Sequence, residues 1–249
     1  MKMYEQNPEQ AKTALLIHPM LSSAEGIDLC MTKFWEGKVH CFVPDLSAHG
    51  EDAATTYHSA AEEAKSIHEV LVEKGCTHLD LGFGASLGGV VLFELLKFPD
   101  LTFDHVIFEG VSFYEKAPLL CFALTQVFLS KHRKAVKNPE LSRQKMSAIY
   151  GETAGPAMAK RFIAMNEESI RNIIHDCGYV QLPELSPEMQ KRCIFAYGEK
   201  DSDLKQCKKL LPTKYPCAAL EIWPGYAHCG RMTADSENYA AYLKNSVWN

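Results

Sequence analysis

The chain has 249 residues, 47% of them apolar, enough for one large domain with a full core. Its 26 basic and 31 acidic residues leave a net charge of −5, which gives no basis for nucleic acid or a membrane surface as partner. The nine cysteines form no C-x-x-C pair and no metal-like Cys/His spacing, and Met1–Lys12 holds no apolar signal core, so reduced thiols in a cytoplasm are expected.

Strand-like and helix-like segments alternate along the chain. Thr13–Ile17 reads as a buried strand, Ile27–Trp35 as a short helix, and Val39–Val43 as a second strand closed by Pro44. Ser59–Lys74 predicts a helix: Ser59 and Glu62 make a capping box, Ala60, Ala64, Ile67 and Leu71 form one face, and Gly75 stops it. His78–Phe83 reads as a strand, Ser86–Lys97 as the helix leaving it, and His105–Phe108 as a further strand.

The rhythm changes from Ser112 to about Pro187. Helical patterns occur at Leu119–Ser130, Leu141–Tyr150, Ala157–Ala164 and Glu167–Asp176, the last with Asn166 as N-cap, and no strand is predicted. The longest apolar stretch, Pro118–Leu129, is too short to span a bilayer. Alternation resumes with a strand at Cys193–Tyr197, a helix near Leu204–Leu211, a strand at Ala218–Trp223 and a final helix from Thr233 to Lys244. The pattern predicts an α/β fold with a mostly parallel central sheet flanked by helices. Residues 1–111 and 188–249 form its core, and 112–187 an inserted helical cap.

Chemistry concentrates at the carboxyl ends of the strands in such sheets. Gly84-x-Ser86-x-Gly88 follows the strand at His78–Phe83 and has the pattern of a nucleophile elbow, in which a sharp strand-to-helix turn lifts the serine hydroxyl clear of the backbone. A hydroxyl is a weak nucleophile until an oriented imidazole removes its proton. Asp201 follows a later strand after a glycine turn, and His228 lies on the small-residue loop Gly225-Tyr226-Ala227-His228-Cys229-Gly230. Asp203, two residues on, and Glu109, ending the strand at His105–Phe108, are alternative acids. Asp203 has the ordinary alternative role of capping the next helix. A nucleotide-binding reading fails, because Leu87 stands where G-x-G-x-x-G needs its third glycine and no G-K-[ST] occurs.

With the order Ser86, Asp201, His228, the chain resembles the α/β-hydrolase superfamily from Leu15 to the final helix. The resemblance also rests on His18-Pro19-Met20, similar to the family's His-Gly-x oxyanion loop but with Pro19 in place of glycine. It implies that the backbone N–H groups of Met20 and Leu87 form the oxyanion hole. Pro44-Asp45-Leu46-Ser47-Ala48-His49-Gly50 resembles a further family loop and reads as a structural turn.

The resemblance implies a serine hydrolase that cleaves a small to medium carboxylic ester, or a thioester, through an acyl-enzyme, with no cofactor and no metal. C–C bond hydrolysis or elimination on the same residues, and a non-catalytic ligand-binding scaffold, are the alternatives. The segment 113–187 carries ten Lys or Arg against seven Asp or Glu, and Arg161 is a candidate to attract a substrate carboxylate. His18, Phe122, Met158 and Phe162 are the other candidate pocket residues.

Overall fold

The computed structural model describes residues 1–248 and, at Thr153, the backbone alone. The polar N-terminus, for which patterning predicts no element, forms an edge strand, β1 (Lys2–Gln6). β2 (Thr13–Ile17), β3 (His40–Asp45), β4 (His78–Ala85), β5 (Thr102–Glu109), β6 (Cys193–Gly198) and β7 (Ala219–Trp223) complete a seven-stranded sheet in the order β1-β3-β2-β4-β5-β6-β7. β1 pairs antiparallel with β3, and every other pair is parallel. Pro44, expected to close a strand, lies inside β3. The β2 ladder has already ended at Phe42, so no bond on that side needs the missing N–H.

Alternation along the strands builds two layers. Ala14 and Leu16 of β2 join one apolar cluster, and Leu15 and Ile17 join the other. α1 (Ala24–Cys30) covers the first face through Ile27. It starts earlier than patterning predicts, because Ser23 Oγ accepts the Gly26 N–H at 3.3 Å, and it gives way to a 3₁₀ turn at Thr32–Trp35. α2 (Ala60–Glu73) and α3 (Leu87–Leu95) cover the second face. Ser59 Oγ accepts the Glu62 N–H at 3.2 Å, as the capping pattern requires.

Between β5 and β6 stand α4 (Pro118–Lys137), α5 (Pro139–Ala164), α6 (Glu167–Gly178) and the short α7 (Pro187–Lys191). Two predicted helices meet within α5, where Gly151 adopts φ 81° and ψ 167° and breaks the helical path. Asn166 caps α6, accepting the Ser169 N–H at 2.8 Å. Asp176 docks α6 on the start of α2 by accepting the Tyr57 hydroxyl at 2.8 Å and the Ala60 N–H at 2.6 Å. α8 (Leu204–Lys214) packs on the second face through Leu204, Cys207 and Leu211. The predicted terminal helix divides at Asp235 into α9 (Gly230–Ala234) and α10 (Ser236–Trp248), and α10 returns Tyr239, Ala240 and Leu243 to the first face. No helix among the described residues is long and apolar enough to cross a membrane.

Candidate active site

β4 ends at Ala85 and α3 begins at Leu87, so Ser86 alone makes the turn between them. It adopts φ 50° and ψ −112°, a conformation that costs an L-residue of order 1–3 kcal/mol and persists only when its surroundings enforce it. Two features enforce it here. The Ser86 N–H donates to the Glu109 carbonyl of β5 at 2.8 Å. A Cβ on Gly84 would lie 2.5 Å from the Gly88 carbonyl oxygen, so only glycine lets α3 pack this closely on β4.

His228 Nε2 lies 2.8 Å from Ser86 Oγ, and Nδ1 lies 2.9 Å from Asp201 Oδ2. β4, β6 and the loop after β7 thus bring three distant residues into one hydrogen-bonded chain. The Asp201 side chain is fully buried, and its other oxygen accepts the Asp203 N–H at 3.0 Å, which fixes its rotamer. Cys229 beside it, were its thiol ionised, and the hydrogen-bonded Asp201 each hold the proton on the His228 imidazole and move it well above its ordinary range, against its own burial. Burial also raises the Cys229 thiol, which stays protonated, so Asp201 is the charge that acts near neutrality. Such an arrangement can carry a proton from a hydroxyl to an imidazole whose tautomer is set by a carboxylate.

The groups expected to bind an oxyanion sit beside Ser86. Leu87 opens α3, where first-turn N–H groups have no intrahelical acceptor. Met20 lies in a tight turn closed by the Ser22 N–H donating to the Pro19 carbonyl at 3.1 Å, with Leu21 at φ 67°. Met20, Ser86, Leu87 and His228 all line one cavity of about 190 Å³.

No sequence-family model and no curated protein matches the chain. Solved structures do match it over essentially its whole length. A carboxylesterase structure from the thaumarchaeon Nitrososphaera gargenis superposes with TM-score 0.72 at 12% identity, covering 98% of this chain and 93% of that one. An esterase from Exiguobacterium antarcticum gives 0.72 at 13%, covering 100% and 94%, and MenH from S. aureus gives 0.69 at 17%, covering 100% and 98%. The chain has the α/β-hydrolase fold.

On this α/β-hydrolase scaffold the two alternative acids lie at different distances from the base. Asp203 Oδ2 is 3.8 Å from His228 Nδ1, farther than the Asp201 oxygen that already holds that nitrogen. Asp203 also forms no side-chain cap on α8, the ordinary role expected of it. The Glu109 carboxyl points away: Oε2 accepts the Tyr239 hydroxyl at 3.0 Å and the Trp223 indole N–H at 3.3 Å, and Oε1 is buried without a partner. Burial pushes Glu109 up to about 7. Asp201, Asp203 and His228 bring ligand atoms within 4.8 Å of one another, but a cation there would compete with the bond that orients the imidazole.

Of the five candidate pocket residues, none lines the cavity. Phe122 is 68% exposed on the outer side of α4. Leu120, Leu124 and Phe128, spaced four residues apart, form the α4 stripe that faces Ser86, and Phe122 lies half a turn off it. Phe162 is buried one layer behind, edge-on to Phe128 at 6.4 Å and to His132 at 5.4 Å, and Met158 packs in the same cluster. Arg161 donates to Ser23 Oγ at 2.7 Å and to Glu25 at 3.1 Å and lines a separate cleft. His18 is fully buried; Nδ1 donates to the Pro19 carbonyl at 2.8 Å and Nε2 accepts the Leu46 N–H at 3.1 Å. Burial lowers it to about 4, so it is a neutral brace between two loops. α6 contributes Ile173, Ile174 and Cys177 to the cavity, residues that sequence reasoning passed over.

Proposed function

We propose that the protein is a serine hydrolase of small to medium carboxylic esters or thioesters, working through an acyl-enzyme. One observation carries the reading: the unbroken hydrogen-bonded chain from Ser86 Oγ through His228 to Asp201. Ser86 attacks the carbonyl carbon while His228 Nε2 takes its proton, and Asp201 steadies the imidazolium that results. The carbonyl oxygen becomes an oxyanion held by the Met20 and Leu87 N–H groups. Two such donors stabilise developing charge by several kcal/mol in a site shielded from water. The tetrahedral intermediate collapses as His228 protonates the leaving alcohol or thiol. Water, deprotonated by the same imidazole, then releases the acid and regenerates Ser86.

Residues 112–187 act as the cap in this reading, since α4 and α6 supply most of the apolar wall. That wall favours a substrate with an apolar body. The neighbours named as esterases favour the same reading. We also read the compartment as a cytoplasm: all nine cysteines are free thiols, the state a reducing interior maintains.

The test is covalent. A fluorophosphonate probe labels the wild type at Ser86 and leaves Ser86→Ala unlabelled. Ser86→Ala also loses turnover of a chromogenic short-chain ester while its melting temperature holds. Turnover that survives the substitution overturns the reading.

A further inference from the structure

The cavity beside Ser86 is apolar on most of its wall, and among the described residues no lysine or arginine lines it. It nevertheless contains one carboxyl, that of Asp203, whose side chain is 22% exposed. Among the described residues that carboxyl accepts no hydrogen bond. It does not cap α8 and it is not the oxygen that holds His228; Asp203 is held through its backbone, its N–H donating to Asp201 and its carbonyl accepting the Gln206 and Cys207 N–H groups. Its side chain opens onto the cavity, so a group entering there reaches a carboxylate that no side chain or backbone donor among the described residues holds. Burial pushes its pKa up to about 6, which leaves it ionised near neutrality. Its nearest positive partner, His228, is already committed to Asp201 and is neutral when it acts as a base.

We infer that Asp203 is a specificity-determining residue that selects esters carrying a cationic ammonium group a short way from the scissile carbonyl. A quaternary or protonated amine entering the cavity supplies the missing positive charge next to Asp203, and the apolar wall holds the rest of the substrate. An anionic ester meets the same carboxylate as a like charge, with no cation on the wall to offset it. The selection is for the opposite sign from the one Arg161 would impose, because Arg161 is engaged with Ser23 and Glu25 outside this cavity.

The inference rests on the hydrolase reading for its substrate, and its test separates the two. Three 4-nitrophenyl esters that differ only in a terminal trimethylammonium, tert-butyl or carboxylate group are compared, each corrected for its hydroxide-catalysed rate. In the wild type, kcat/KM for the ammonium ester exceeds that for its neutral isostere by at least about tenfold, the size expected of a partly desolvated charge pair. The carboxylate ester is the poorest of the three. Asp203→Asn brings the ammonium-to-neutral ratio close to one, and Asp203→Ala does the same if the asparagine variant fails to fold. A ratio unchanged by both substitutions, or a fall equal for all three esters, overturns the inference, since the residue would then act only through His228. Calorimetric binding of choline against 3,3-dimethylbutanol gives a readout independent of turnover. If Ser86 is unreactive but choline binding still depends on Asp203, the hydrolase reading fails and the cation site stands.

Discussion

Gly88 and Ile17 approach so closely that a Cβ on Gly88 would lie 2.3 Å from the Ile17 carbonyl oxygen. This contact lets α3 start directly over β2, and it brings the Ser86 elbow against the loop that carries Met20. A methyl group there has to push backbone from backbone, which no rotamer change relieves. Gly88→Ala is therefore expected to lower stability by about 3 kcal/mol and to abolish ester turnover. Gly230→Ala is the control, because its nearest neighbours lie 3.7 Å away in the flexible Tyr226 side chain. Urea unfolding of the two variants distinguishes the sites; equal midpoints would refute the tight approach.

The acid can be identified by its effect on the base. Activity requires neutral His228, so kcat/KM rises with pH as the imidazolium releases its proton. The Asp201 carboxylate keeps the proton on, which moves that rise upward in pH. Asp201→Asn should move the rise downward and cut kcat by roughly 10⁴-fold. Cys229→Ala should leave its position in place, because a protonated thiol carries no charge. A pH–rate profile in which the cysteine variant shifts and the asparagine variant does not would reverse the assignment.

Glu109 makes a different prediction, about stability. Folded, its fully buried carboxyl keeps a proton up to about 7, whereas an ordinary glutamate releases it near 4.5. Across that window the folded state binds the extra proton, so stability falls as pH rises and levels off above it. The loss amounts to about 3 kcal/mol at most, taking the full difference between the two values. Glu109→Gln keeps an acceptor for Tyr239 and has no proton to lose. Unfolding free energies measured at about pH 5 and about pH 8 should therefore converge for the variant and diverge for the wild type. Parallel slopes would show that the carboxyl is not protonated in the fold.

Arg161 is expected to matter for attachment of α5 rather than for substrate. Its side chain is 14% exposed and bonds Ser23 Oγ, the same oxygen that caps α1. Its partner Glu25 is 76% exposed, so the ion pair itself contributes little. Arg161→Ala should cost about 1 kcal/mol, a drop of about 2–4 °C in Tm for a chain of this size. The ratio of kcat/KM for carboxylated over neutral esters should stay where it is. A selective loss of the carboxylated ester would return Arg161 to the substrate site.

Much of the architecture is written locally in the chain. Strand alternation, the Ser59 and Asn166 caps and the glycines around Ser86 are short-range signals, and each acts through its own backbone. The edge strand β1 left no such mark, because Lys2 and Glu5 are exposed and only Met3 and Tyr4 pack, partly buried, against the two layers, too short a pattern to set an apolar period. The order Ser86, Asp201, His228 named the three residues that converge, since a parallel sheet sends every strand end to the same rim. Choosing among Asp201, Asp203 and Glu109 took the tertiary structure, because rotamers a few ångströms apart decide which oxygen meets Nδ1. The cavity wall was decided there too. Which face of α4 turns inward depends on how the helix is rotated against α6, and that rotation is fixed by packing between residues some fifty positions apart, Cys121 against Ile174 among them.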